Sequence, residues 1–372
     1  MAASSAAFDV TARHLLARHL KCLSSLCGLP LSGRKPELIT RLAAAAAADD
    51  NVPAKPVVLS IDVGIRNLAY SLLTPVSPKA NVKPKKTSSS TPQTKYIGTS
   101  PPVVKLHAWR RLSLLDDAAT NGSSQVGGED DALEVDTSST RDFSPEALAK
   151  TANDFLQNTV LQLKPLPTHI LIERQRWRSS GSPAIQEWTL RVNTIEAMLH
   201  ASLGTLRDVQ KWKGEVVTVR PERVVKLFLH PPNLDTPRQS KKAVQKGEAD
   251  ASACEPGTRP RKTSTEVKKL KINLLRDWLH RQDVVVEPGN RDAGNMIAAY
   301  RDGGKAVRRS GRSKRAASET QTEEEQVLLG SKLDDLCDSL LQGLAWLRWQ
   351  ENMALLRQEG GADQLLKAAD AY

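Results

Sequence analysis

Long apolar runs are missing from this chain of 372 residues. None approaches the roughly 20 residues an α-helix needs to cross a bilayer, so the sequence gives no membrane-spanning helix. Cysteine is scarce: Cys22, Cys27, Cys254 and Cys337 are the full set. Their spacing fits no zinc site and they are too scattered for a disulfide scaffold, which suits a reducing compartment. Acids are in deficit. Lys and Arg outnumber Asp and Glu by 53 to 42, a net charge of +11. That excess points to a polyanionic partner, nucleic acid before membrane. The first thirty residues hold Asp9 as their sole acid among Arg, Lys, Ser and Ala, a composition compatible with an organellar presequence.

The length allows two ordinary domains or one core with long insertions. Four stretches, near 75–102, 116–142, 231–262 and 301–328, are rich in Ser, Thr, Pro, Gly or charge and show no apolar period. They read as disordered insertions. Between them strand and helix patterns alternate. Strands are predicted within Val57–Leu73 and at Val103–Leu112, His169–Glu173, Val216–Arg220 and Val284–Val286. Helices are predicted at Ser144–Leu163, Ala184–Leu206, Pro221–Leu229, Glu266–His280, Asn290–Tyr300 and Ser331–Gln350. In the second of these, Trp188, Val192, Ile195, Leu199 and Leu203 are expected to face inwards. Residues 351–372 read as a C-terminal tail.

Three places carry acids where acids are costly. In Val57–Ser71, VVLSIDVGIRNLAYS, Asp62 is the lone carboxylate of an apolar strand. Glu173 closes the apolar run His169–Ile172 in the same way. Each either caps a turn or meets a cation, because an unpaired buried carboxylate is unfavourable. On the last predicted helix, Asp334 and Asp338 are four apart and share a face, with Asp335 three from Asp338. Such a cluster is either a solvated helix start favoured by the dipole or a cation site. Hard cations such as Mg²⁺ prefer carboxylate oxygens. Two of them held by acids from separate elements can clamp a phosphodiester. The turn Arg176–Pro183, RWRSSGSP, offers Arg176 and Arg178 for phosphates and Trp177 for stacking or core packing.

Two resemblances follow from these residues. Leu20, Leu23, Cys27-Gly28-Leu29-Pro30-Leu31-Ser32-Gly33-Arg34-Lys35, Glu37-Leu38-Ile39 and Leu42 resemble the SAP module, a small helix–turn–helix DNA-binding motif. This implies duplex binding through Arg34 and Lys35, within a module of residues 1–48 joined by a linker, 49–56, to a domain over 57–350. The alternative is a hairpin that only packs on the main domain. Ser60-Ile61-Asp62-Val63-Gly64-Ile65-Arg66-Asn67, Ile172-Glu173-Arg174-Gln175-Arg176-Trp177, Asn193-Thr194-Ile195-Glu196 and Leu333-Asp334-Asp335-Leu336-Cys337-Asp338 resemble the fungal mitochondrial Holliday-junction resolvases, related to bacterial RuvC. That resemblance implies an α/β ribonuclease-H-like mixed sheet flanked by helices. It also implies a homodimeric endonuclease on four-way DNA junctions in mitochondria, without a small-molecule cofactor. Two Mg²⁺ or Mn²⁺ ions per site are then expected on Asp62, Glu173, Asp338 and Asp334 or Asp335, the doublet allowing both spacings. Arg66 and Arg174 join the expected DNA contacts. A hybrid-cutting relative of the same fold and a non-catalytic DNA-binding protein are the alternatives.

Overall fold

Six strands form one sheet: β1 (Val58–Asp62), β2 (Leu68–Pro75), β3 (Val104–Leu112), β4 (His169–Glu173), β5 (Glu215–Val219) and β6 (Val286–Pro288). Their order is β5-β4-β1-β2-β3-β6. β1, β2 and β3 make an antiparallel meander, while β4 runs parallel to β1 and β5 parallel to β4. The computed structural model describes residues 14–48, 52–53, 55–76, 99–114, 143–175, 185–230, 264–281, 286–302 and 333–370. The four low-complexity stretches lie largely outside these residues, as do Arg176, Trp177, Arg178 and Cys254.

The period of two along the strands divides the core. Leu59, Ile61, Ile170 and Ile172 face one side, where α3 (Pro145–Asn158) and α4 (Glu187–Asp208) cover them. Ser144 caps α3 by accepting the Ala147 N–H at 3.3 Å, and Pro145 opens its first turn. The other parity, Val58, Ser60, Asp62 on β1 and His169, Leu171, Glu173 on β4, faces α8 (Leu333–Leu356). Small residues let α8 approach closely. A Cβ on Gly343 would meet Leu73 at 2.5 Å and Ser60 at 3.3 Å. The Ser71 hydroxyl donates to Ser339 O at 3.0 Å, and Gln342 donates to Ile61 O at 3.3 Å and Leu171 O at 3.4 Å. The stripe Leu336, Leu340, Leu344, Leu347 is buried as expected. So are the flanks, because further helices cover the back of α8.

Those helices are α1 (Ala17–Leu26), α2 (Lys35–Ala47), α5 (Pro221–Phe228), α6 (Ser264–His280), α7 (Arg291–Arg301) and α9 (Gly361–Asp370). The expected tail 351–372 is therefore helix over most of its length. α8 continues to Leu356, and α9 buries Leu365, Leu366 and Ala369 against α1 and α8. The α1–α2 hairpin shares this core through Leu20, Leu23, Leu26, Leu38 and Leu42, all fully buried. Asn352 Nδ2 donates to Leu26 O and Arg223 Nη1 to Gly28 O, both at 2.7 Å. Gly28 takes φ +67°, and a Cβ there would sit 2.5 Å from the Trp349 ring. The hairpin packs as part of one apolar core with α8 and α9.

Candidate active site

Register and parity together assemble the acids. Ile61 pairs with Ile172 across parallel neighbours, so Asp62 and Glu173 end adjacent strands at the same edge, both on the α8 side. α8 runs back along β1 and β4, since Gln342 bonds Ile61 and Leu171 while Trp346 stacks on His169, ring centroids 4.9 Å apart. Its first turns, bearing Asp334, Asp335 and Asp338, thus stand at the strand ends that carry Asp62 and Glu173. Trp109 Nε1 fixes this start of α8 by donating to Leu336 O at 3.0 Å.

The electrostatics agree with the geometry. Burial first, then Glu173, Asp338 and Asp335, push the Asp62 carboxyl well above the usual aspartate range, with Lys271 acting against them. Asp335, of the doublet, thus contributes to the rise of Asp62. Asp334 turns to α6, where Lys268 Nζ bonds its carboxylate at 2.7 Å. Burial opposes the charge of Asp334, but the Lys268 bond prevails and its pKa is lowered. Asp338 accepts two bonds from Lys271 Nζ, the longer at 2.6 Å. Burial still raises Asp338 against that ion pair.

The loop after Glu173 is held from two sides. The Gln175 N–H donates to Glu196 Oε2 on α4 at 3.1 Å, and its side chain donates to Val63 O at 3.2 Å. Gln175 therefore ties the end of β4 to the end of β1. Burial raises the Glu196 carboxyl, with the Gln175 N–H and Arg174 opposing. Glu196 is a positioning residue for the loop that carries Arg174.

Basic residues follow the strand ends at the acids' edge and continue along the neighbouring helices. Arg66, in the β1–β2 turn, lies over the Trp188 ring at 5.3 Å to its centroid. Trp188 is 37% exposed and does not face inwards as the helical pattern implied. It instead packs edge-on to Phe143, centroids 6.1 Å apart. Arg174 and Arg220 follow β4 and β5 at the acids' edge of the sheet, and the Arg174 N–H donates to Val219 O at 2.8 Å. One turn along α5, Arg223 is lowered by burial, then by Arg220 and, less strongly, Arg41. Arg41 Nη1 donates to Pro30 O at 2.7 Å and Ser32 O at 2.9 Å. Arg34 occupies the N-cap position of α2 and Lys35 opens the helix beside this turn. The hairpin turn meets Trp349, eleven residues or about 16 Å of helix rise from Asp338.

The donor set suits hard divalent cations in kind and in charge. Five carboxylates, Asp62, Glu173, Asp334, Asp335 and Asp338, gather at one edge with two ammonium groups, Lys268 and Lys271. Among the described residues no three acidic, His or Cys groups stand close enough to hold an ion as placed. Sequence reasoning missed both lysines. The signal was present in Lys268 and Lys271, three apart on a predicted helix and so able to meet acids four apart on another.

Comparison with known proteins gives a consistent result. A family described as "Mitochondrial resolvase Ydc2 / RNA splicing MRS1" matches residues 58–356. The "Cruciform cutting endonuclease 1, mitochondrial" of Schizosaccharomyces pombe is 34% identical over 182 residues, 49% of this chain and 53% of that protein. The chain thus matches about half the length of this curated relative. The crystal structure of the yeast mitochondrial Holliday junction resolvase Ydc2 superposes with a TM-score of 0.52 at 20% identity, covering 94% of this chain and 98% of that one. The fold is therefore the ribonuclease-H-like one of that resolvase, as the motifs implied. Because the family match runs from the first residue of β1 to the last of α8, the chain belongs to the mitochondrial resolvase Ydc2 and RNA splicing MRS1 family.

Proposed function

We propose that this protein is a structure-selective, divalent-metal-dependent endonuclease that resolves four-way DNA junctions in mitochondria. The observation that carries the reading is that Asp62 and Glu173 end adjacent parallel strands at one edge, on the side facing the first turns of α8, which bear Asp334, Asp335 and Asp338. The names of the relatives, a junction resolvase and a cruciform-cutting endonuclease, point the same way. So does the sequence of the first thirty residues, with Asp9 as their sole acid beside Arg13, Arg18 and Lys21 and several Ser and Ala.

Asp62, Glu173, Asp335 and Asp338 would hold Mg²⁺ or Mn²⁺, which when bound would activate water and stabilise the leaving oxygen. The chain's own part is to hold these acids at a fixed edge. Ser71, Gln342 and Trp109 anchor α8, while Gln175 and Glu196 anchor the loop after Glu173. Arg66, Arg174 and Arg220 bring the phosphate backbone to that edge, and Arg34 and Lys35 continue the contact along the hairpin. A homodimer would place two such sites on a two-fold junction, one for each cut.

The deciding experiment incubates the protein with labelled synthetic junction, linear duplex and RNA–DNA hybrid, with Mg²⁺ or with chelator. Paired cuts in the junction that need Mg²⁺ are expected. Binding without cutting would instead indicate a non-catalytic member of the family. Cutting of the hybrid alone would indicate a ribonuclease. A finer test concerns the basic path. Arg220→Gln is expected to weaken junction binding severalfold and to reduce the log–log salt slope by about 1, measured by fluorescence anisotropy across a salt series. An unchanged slope would remove Arg220 from the interface.

A further inference from the structure

We propose that Lys271 is the site's own stand-in cation, holding Asp338 in the metal-free protein and releasing it when a divalent ion enters. The inference rests on the metal-dependent reading above and adds the device that controls when the ligand set closes.

The geometry supports it at three points. First, the Lys271 ammonium spans both oxygens of Asp338, so neither is left clear for an ion while the pair persists. Second, the Lys271 side chain is only 12% exposed, against 53% for Lys268 on the next turn. A desolvated ammonium stays charged only where acids hold it. Here the Asp338 carboxylate is that acid. Third, Lys271 reaches Asp338 on the first turns of α8, the turns that stand at the strand ends carrying Asp62 and Glu173.

The roles of the two lysines are distinct. Lys268 bonds one oxygen of Asp334. That pair docks α6 on α8 and can persist with an ion bound. Lys271 cannot keep both oxygens of Asp338 once Asp338 is a ligand. Its flexible stem lets the head group swing aside. Apo protein is thus protected from the mutual repulsion of its acids, and ion entry costs the breaking of one buried ion pair.

The test compares the full chain with Lys271→Met, which keeps the stem and removes the charge. Both are stripped with chelator and titrated with Mn²⁺ alone, without DNA, the free ion being followed by electron paramagnetic resonance. Lys271→Met is expected to bind Mn²⁺ about tenfold more tightly, because the ion no longer competes with an ammonium. Its metal-free Tm is expected to fall and its Mn²⁺-induced rise in Tm to exceed that of the parent. Lys268→Met is expected to change Mn²⁺ affinity by less than about twofold. Equal Mn²⁺ affinity of parent and natively folded Lys271→Met would overturn the inference while leaving the metal site in place. No Mn²⁺ bound by either protein would overturn the metal reading itself. Should Lys271→Met not fold, Lys271→Gln carries the same comparison.

Discussion

Asp62→Asn is expected to slow junction cleavage in Mg²⁺ by at least about 10³-fold while leaving junction binding within about twofold. Asn matches Asp in shape but cannot carry the charge that a hard cation requires. The effect should exceed the 10–100-fold that loss of a partner to a metal ligand costs. DNA affinity is spared because it resides in the arginines around the edge. Stability should move in the opposite sense to activity. Burial, Glu173, Asp338 and Asp335 raise the folded pKa of Asp62 above its unfolded value. A carboxyl so raised contributes stability below the unfolded pKa, near 4, which is lost as pH rises through the folded value. The neutral amide escapes that loss. In chelator the variant should therefore melt above the parent at pH 8, with the gap narrowing towards pH 5. Cleavage at the parental rate would remove Asp62 from the reaction. A variant that melts lower at pH 8 would show the charge to be compensated.

The acids were legible because their cost was visible in one dimension. A carboxylate that closes an apolar strand, at Asp62 and again at Glu173, marks a strand end facing something charged. Alternation then fixes the shared side once the two strands are known to be parallel neighbours. Which of Asp334 and Asp335 turns to Lys268 was not legible. It depends on how α8 is rotated against β1, which Gly343, Ser60 and Ser71 set by allowing close approach in one orientation. Lys271 was hidden for a related reason. Its partner lies 67 residues away, and a helical lysine looks the same in sequence whether it meets water or an acid. Trp188 misled by period. It falls on the buried stripe of α4, yet in the helix's first turn it packs on Phe143 and Arg66 and stays 37% exposed.

The same limit decides what happens when the N-terminal hairpin is removed. On the SAP-like pattern alone, deletion of residues 1–48 would weaken DNA binding and spare the catalytic core. The packing predicts a different outcome: the truncated chain is expected to be insoluble or to lack a cooperative melt. Leu20, Leu23, Leu26, Leu38 and Leu42 are each fully buried against α8, α9 and one another. At about 2 kcal/mol for each buried leucine their loss approaches 10 kcal/mol, comparable to the whole stability of an ordinary domain. Deletion also uncovers Trp349, Met353 and Leu356 and leaves the buried Asn352 amide without Leu26 O. A milder variant keeps the question answerable in a folded protein. Leu23→Ala should lower unfolding free energy by about 3 kcal/mol in urea, the ordinary cost of emptying a leucine site in a packed core. Junction affinity at a temperature where the variant stays folded should hardly change. Arg34→Ala should do the reverse, leaving the melt intact and weakening binding. A soluble 49–372 fragment that melts like the full chain would show that α1 and α2 form a separate module, and that α8 and α9 are stable without their cover.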